Sequence, residues 1–156
     1  PYQDLTKHNA VEAMFHLLKR RGNDPAARKL ARELLRWSED QFVFWEAPCP
    51  SGPKAGWHYP SVYEQYSCYI SIDASASKMI SAYLALYREE KNPLDLAKAK
   101  ALANAITCVQ EPSGRVPTFW AAKDEWISNV RYDWLNCMAS SAAALIEVAA
   151  TLDGER

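Results

Sequence analysis

Apolar residues recur along this chain with the three-to-four-residue step of an amphipathic helix, and that step marks out about five helical segments. The first spans roughly Asn9 to Arg21, with Ala10, Met14, Leu17 and Leu18 on one face. The GNDP run ends it: Gly22 suits a C-terminal cap, Asp24 an N-cap, and Pro25 the first position of a second helix. That helix reaches about Phe42, with Leu30, Leu34, Trp37 and Gln41 at helical spacing and Arg28, Lys29, Arg32, Glu33 and Arg36 on a solvated side. A third is expected from Asp73 to about Glu90, through Ala76, Met79, Ile80, Tyr83 and Tyr87. After the short KNP joint, a fourth covers about Leu94 to Gln110, and a fifth about Asp133 to Leu152.

Two long connections interrupt the series. FWEAPCPSGPKAGWHYPSVYEQYSCYISI is dense in proline, glycine and aromatics, and no helix runs through Pro48, Pro50, Pro53 and Pro60. EPSGRVPTFWAAKDEWISNVRY precedes the fifth helix. Strand signals are confined to short extended runs in these loops, so the expected fold class is all-α, built of antiparallel helical hairpins. Short joints make helices one and two, and three and four, antiparallel neighbours, which places both long loops at one end of the assembly. Loops of such length inside a compact domain are usually functional.

The helices alternate in character. Two and four carry a charged face. The fifth, within WLNCMASSAAALIEVAA, is nearly uncharged all round, as expected of a helix buried among neighbours, and is predicted to be the most enclosed. Odd helices therefore read as inner and even ones as outer. NDPAARKLARELLRWSEDQF and NPLDLAKAKALANAITCVQ echo each other, and each leads into a Phe-Trp pair, Phe44-Trp45 and Phe119-Trp120. This is a hairpin-plus-loop repeat with little residue identity.

Composition narrows the class. With 49% hydrophobic and 24% charged residues, the chain can bury a core as one domain, 1–156. A formal net charge of −1 leaves no basic footprint, so no nucleic-acid partner is expected. Apolar runs such as AAALIEVAA fall short of the ~20 residues a membrane span needs, so no membrane role is expected either. Of the four cysteines, Cys49 and Cys68 flank one long loop and can pair if the protein is exported to the periplasm or outside the cell. Cys108 and Cys137 lie in helical patterns, and free thiols are expected throughout. No histidine has metal-ligand spacing, and no glycine-rich phosphate loop or nucleophile motif is present. Neither a metal nor a cofactor is expected.

Inner-outer alternation with long loops at one end resembles the (α/α)6 toroid of six-hairpin glycosidases, and VQEPSGRVPTFW looks like the segment where an outer helix of such enzymes enters a loop. The resemblance covers about Asn9 to Leu152 and is architectural. A closed ring of six hairpins has about twelve helices, and this chain supplies about five. The resemblance thus implies a fragment of a larger barrel, a second chain that completes it, or an open array; the unpaired fifth helix points to a C-terminal fragment. TPR, HEAT and terpenoid-cyclase-like arrays share the hairpin logic.

Catalytic candidates follow from position. Asp73 and Asp133 open inner helices at the long-loop end, where helices packed ~8–10 Å apart can present two carboxylates to one cleft for acid-base glycoside cleavage. Unsaturated glucuronyl hydrolases, which the architecture resembles, place catalytic aspartates comparably. The plain alternative is N-capping, in which the helix dipole lowers the carboxyl pKa. Glu64, in HYPSVYEQY, is the third candidate, as a loop carboxyl among aromatics that can act as a general acid. Trp45, Trp57, His58, Tyr63, Trp120 and Trp134 are the substrate-binding candidates: aromatic faces stack on sugar rings, though long loops also need such clusters to stay ordered. The expected function is a glycoside hydrolase or polysaccharide lyase acting on an oligosaccharide or polysaccharide. The alternative is a non-catalytic helical domain that binds saccharide or protein through the same surface.

Overall fold

A computed structural model describes residues 6–48, 56–65, 68–118 and 134–155. Among them the chain is mostly helical: α1 (Thr6–Arg21), α2 (Pro25–Phe42), α3 (Asp73–Glu90), α4 (Pro93–Val109) and α5 (Leu135–Asp153). The helix starts follow from local chemistry. The Asp24 carboxylate accepts from the Ala26 amide at 2.9 Å, and the Asn92 side chain accepts from the Leu94 amide at 3.1 Å. In both cases proline follows at the first helical position, where its missing N–H costs nothing. Gly22 sits where an added Cβ would meet the Leu18 carbonyl oxygen at 2.6 Å, so close approach selects glycine there.

α1 packs on α2 and α3 on α4, each as an antiparallel hairpin. α3 is the hub: α1 and α5 lie against it, and it buries Ala76, Met79, Ile80, Tyr83, Leu84 and Leu86. Each fully buried Met, Ile or Leu here stabilises the fold by roughly 1.5–3 kcal/mol. α2 and α4 are tied across the outer layer by two ion pairs. Arg32 grips buried Asp95 through both guanidinium nitrogens at 2.7 and 2.6 Å, and Lys98 holds Glu39 at 2.6 and 2.7 Å.

The first long connection departs from the expected near-absence of strands. It forms a three-stranded antiparallel sheet, β1 (Val43–Pro48), β2 (His58–Gln65) and β3 (Cys68–Ser71), in the order β1-β2-β3. Pro60 is tolerated in the central strand because the β1–β2 register slips there: Phe44 pairs with Ser61 and Ala47 with Tyr59, so Trp45 and Glu46 together oppose Pro60 in a bulge. The first connection and the described beginning of the second, up to Thr118, both reach the start of α3. The Ile72 amide donates to the Val62 carbonyl, and the Asp73 amide donates to the Thr118 carbonyl, each at 3.2 Å.

The prediction that the fifth helix is the most enclosed fails. α5 buries only Cys137, Ser141, Ala144 and Val148, whereas α3 is buried nearly all round. Low charge made α5 read as central, but it stands at the edge of the array and only one face meets α3 and α4. It is also the one helix among the described residues that is long and apolar enough, by length and composition, to cross a membrane. Cys108 and Cys137 are free thiols, Cys137 buried and Cys108 exposed.

Candidate functional site

The N-terminal ends of α3 and α5 gather the polar groups of the interior. Asp73 is the first residue of α3 and has no exposed surface. It is not the N-cap; that position is Ile72, which makes no side-chain cap bond. Instead one Asp73 oxygen accepts from the Ala74 amide at 2.7 Å, and the other from the Ser141 hydroxyl of α5 at 3.0 Å. Burial pushes the Asp73 carboxyl up from 3.8 to about 6, and the Ser141, Ala74 and Cys137 hydrogen bonds offset only part of that rise. The dipole-lowered pKa expected of a capping aspartate is thus overturned, because desolvation outweighs the helix end. Ser77 donates to the Asp73 backbone carbonyl at 2.8 Å and lies 3.2 Å from the Ser141 hydroxyl. Cys137 is pushed up to about 11 by burial, then by the charges of Asp73 and Glu64, so its thiol is a weak donor here and no nucleophile.

Glu64 reaches the same region from β2. Its carboxylate accepts from the Ser75 hydroxyl at 3.1 Å, two residues beyond Asp73. Beneath it lies Lys7, fully buried, which donates to the Tyr63 carbonyl at 2.7 Å, the Glu64 carbonyl at 3.1 Å and the Ser75 hydroxyl at 2.7 Å. All three ammonium protons are accommodated, which makes a buried cation tolerable. Burial nevertheless brings Lys7 down to about 8, against the opposing pull of Glu64. Lys7 falls outside the first helix expected from the sequence, because α1 starts at Thr6, three residues before the expected Asn9. The signal was there, since Lys7 stands on the same stripe as buried Val11 and Met14.

The aromatic candidates are dispersed. Trp45 points to the core side of β1 with Val43 and Ala47, half-buried, its ring 6.3 Å from that of Tyr83 and beneath the Lys98 ammonium. Phe44 faces outward and stacks on Tyr63 with ring centres 4.1 Å apart. Trp57 and His58 are exposed at the far end of β2, on the order of 20 Å of strand from Glu64. Trp134 is 44% exposed, precedes α5 one turn from Cys137, and donates its amide to the Thr118 hydroxyl at 3.1 Å. Glu64, Asp73 and Trp134 therefore share one end of the inner helices, and Trp57 and His58 do not join them. Asp133 and Trp120 lie outside the described residues, as does Cys49. Among the described residues no three His, Cys, Asp or Glu side chains come together to hold a metal ion.

This end of the helices thus carries a buried carboxyl with a pKa of about 6, a second carboxylate held by Ser75, and a part-exposed indole. No protein-family model, curated protein or solved structure matches the chain.

Proposed function

We propose that this chain forms the acid-bearing part of a glycan-processing helical-hairpin array, a glycoside hydrolase or lyase of the (α/α) toroid kind. Asp73 serves as the proton donor, Glu64 as the second carboxylate, and Trp134 with the Phe44–Tyr63 pair as stacking surfaces for an oligosaccharide. The observation that carries this reading is the Asp73 carboxyl, with a pKa of about 6, at the helix end reached by the first connection and by Thr118 of the second. A proton held that close to neutrality is what a general acid requires. Under this reading Asp73→Asn and Glu64→Gln each lower cleavage of a glycan panel by ~10² or more, with circular dichroism unchanged.

A second reading has its own support. Asp73 has no exposed surface, and both its oxygens already accept hydrogen bonds, one of which ties α5 to α3. On that reading the chain binds saccharide or protein without cleaving it, and Asp73 is an interhelical clasp. The same pair of variants decides. If glycan turnover is absent or unaffected while Asp73→Asn changes stability alone, catalysis by this carboxyl is wrong and the binding module stands.

A further inference from the structure

A groove of about 350 Å³ opens where α1, α3 and α5 converge, lined along α3 from Ala74, the residue after Asp73, onward. His8 from α1, Ser77, Lys78 and Ser81 from α3, and Ser140 from α5 line it over a floor of alanine methyl groups. The direction of the hydrogen bonds states what this wall accepts. Ser77 donates to the Asp73 carbonyl at 2.8 Å, Ser81 to the Glu147 carboxylate at 2.7 Å, and Ser140 to the Asn136 carbonyl at 2.9 Å. Ser77 is buried and lies 3.2 Å from the Ser141 hydroxyl, so Ser81 and Ser140, their protons spent, are the hydroxyls that keep lone pairs for the groove. Lys78 gives one proton to Glu12 and retains two to donate. Burial first, then the Lys7 and Lys78 charges, lower the His8 pKa against the opposing pull of Glu64 and Glu12, and its Nδ1 is buried with no hydrogen-bond partner among the described residues. A neutral imidazole with Nδ1 unpaired carries its proton on Nε2, since an unmet acceptor costs less than an unmet N–H.

A ligand for this wall must give protons to serine oxygens and take them from an ammonium. A carboxylate has no proton to give, and phosphate would bring its negative charge beside the Glu12 and Glu147 carboxylates that hold Lys78 and Ser81. A cation meets the Lys7 and Lys78 charges that help lower the His8 pKa. Hydroxyl groups do both jobs, and the volume falls at the lower end of the range for small-molecule sites. We propose that the groove is a binding subsite for one neutral sugar ring, which rests on the glycan reading above and places a ring away from the aromatic loops.

The test is a solution NMR titration of the full 156-residue chain, followed at the His8 ring protons and the Ala143 methyl group. The probes are cellobiose, maltose and N,N′-diacetylchitobiose, with inorganic phosphate as the anionic arm. At least one disaccharide is expected to shift both signals saturably in the millimolar range, with phosphate leaving them in place. Ser140→Leu, at an exposed position, fills the groove and is expected to weaken that binding tenfold or more with the helical spectrum unchanged. Shifts at the Trp134 and Phe44 rings with His8 silent overturn the groove site and leave the glycan reading intact. Phosphate shifting His8 where no sugar does overturns the ligand class. Silence everywhere overturns both.

Discussion

At the scale of single residues, Asp73 links stability to pH with a definite sign. Its pKa is raised in the fold, to about 6 from 3.8, so between those values the folded state keeps a proton that the unfolded chain has lost. Stability contributed by the protonated carboxyl is fully present below pH 3.8 and is lost as pH rises through 6. Asp73→Asn cannot titrate, so the variant should gain on the parent by roughly 2–3 kcal/mol between pH 4 and pH 7. Urea unfolding of both proteins at the two pH values measures it, since the other titrating groups cancel in the difference. Parallel curves would show that Asp73 is solvated after all. Position was legible here and environment was not. The start of an inner helix could be read at Asp73, but that Ser141 and Cys137 enclose it depends on α5, sixty-odd residues on in the chain.

Between whole elements, punctuation was the readable part. Asp24-Pro25 and Asn92-Pro93 start α2 and α4 where turn chemistry said they should, because capping is decided within three residues. Asn92→Ala should therefore cost about 1 kcal/mol, and Asn92→Asp nearly nothing, in thermal unfolding. Equal losses for the two variants would mean the side chain matters for something other than the cap. The sheet was the unreadable part. Its two-residue alternation is present in Val43, Trp45 and Ala47 against Phe44 and Glu46, but Pro60 in the partner strand argues against a ladder. Only the bulge opposite Pro60 reconciles them, and a bulge is a property of two strands rather than of one segment. The aromatics follow from the same misreading. As loop residues they read as one surface, whereas strand geometry puts Trp45 against the core and Phe44 and Tyr63 together outside.

For the molecule as a whole, the outer layer is uneven. α1 is backed by α2 and α3 by α4, and among the described residues no helix backs α5. α5 leaves Leu135 76% and Ile146 68% exposed, with Ala139, Ala142, Ala143, Ala149 and Ala150 also on its open surface. A continuous apolar face of this kind is an association surface in water. Leu135 and Ile146 would each gain roughly 1.5–3 kcal/mol on full burial, and the alanines let another helix approach closely. The 156-residue chain is therefore expected to self-associate, with a weight-average mass that climbs with concentration in sedimentation equilibrium. Ile146→Glu should return it to a monomer, because burying an unpaired carboxylate costs more than the isoleucine gained. The substitution lies on exposed surface, so the helical spectrum should not change. A parent chain that stays monomeric at every concentration would mean that this face is already satisfied within the molecule. The resemblance to a hairpin toroid would then lose the open edge on which its further helices were expected to pack.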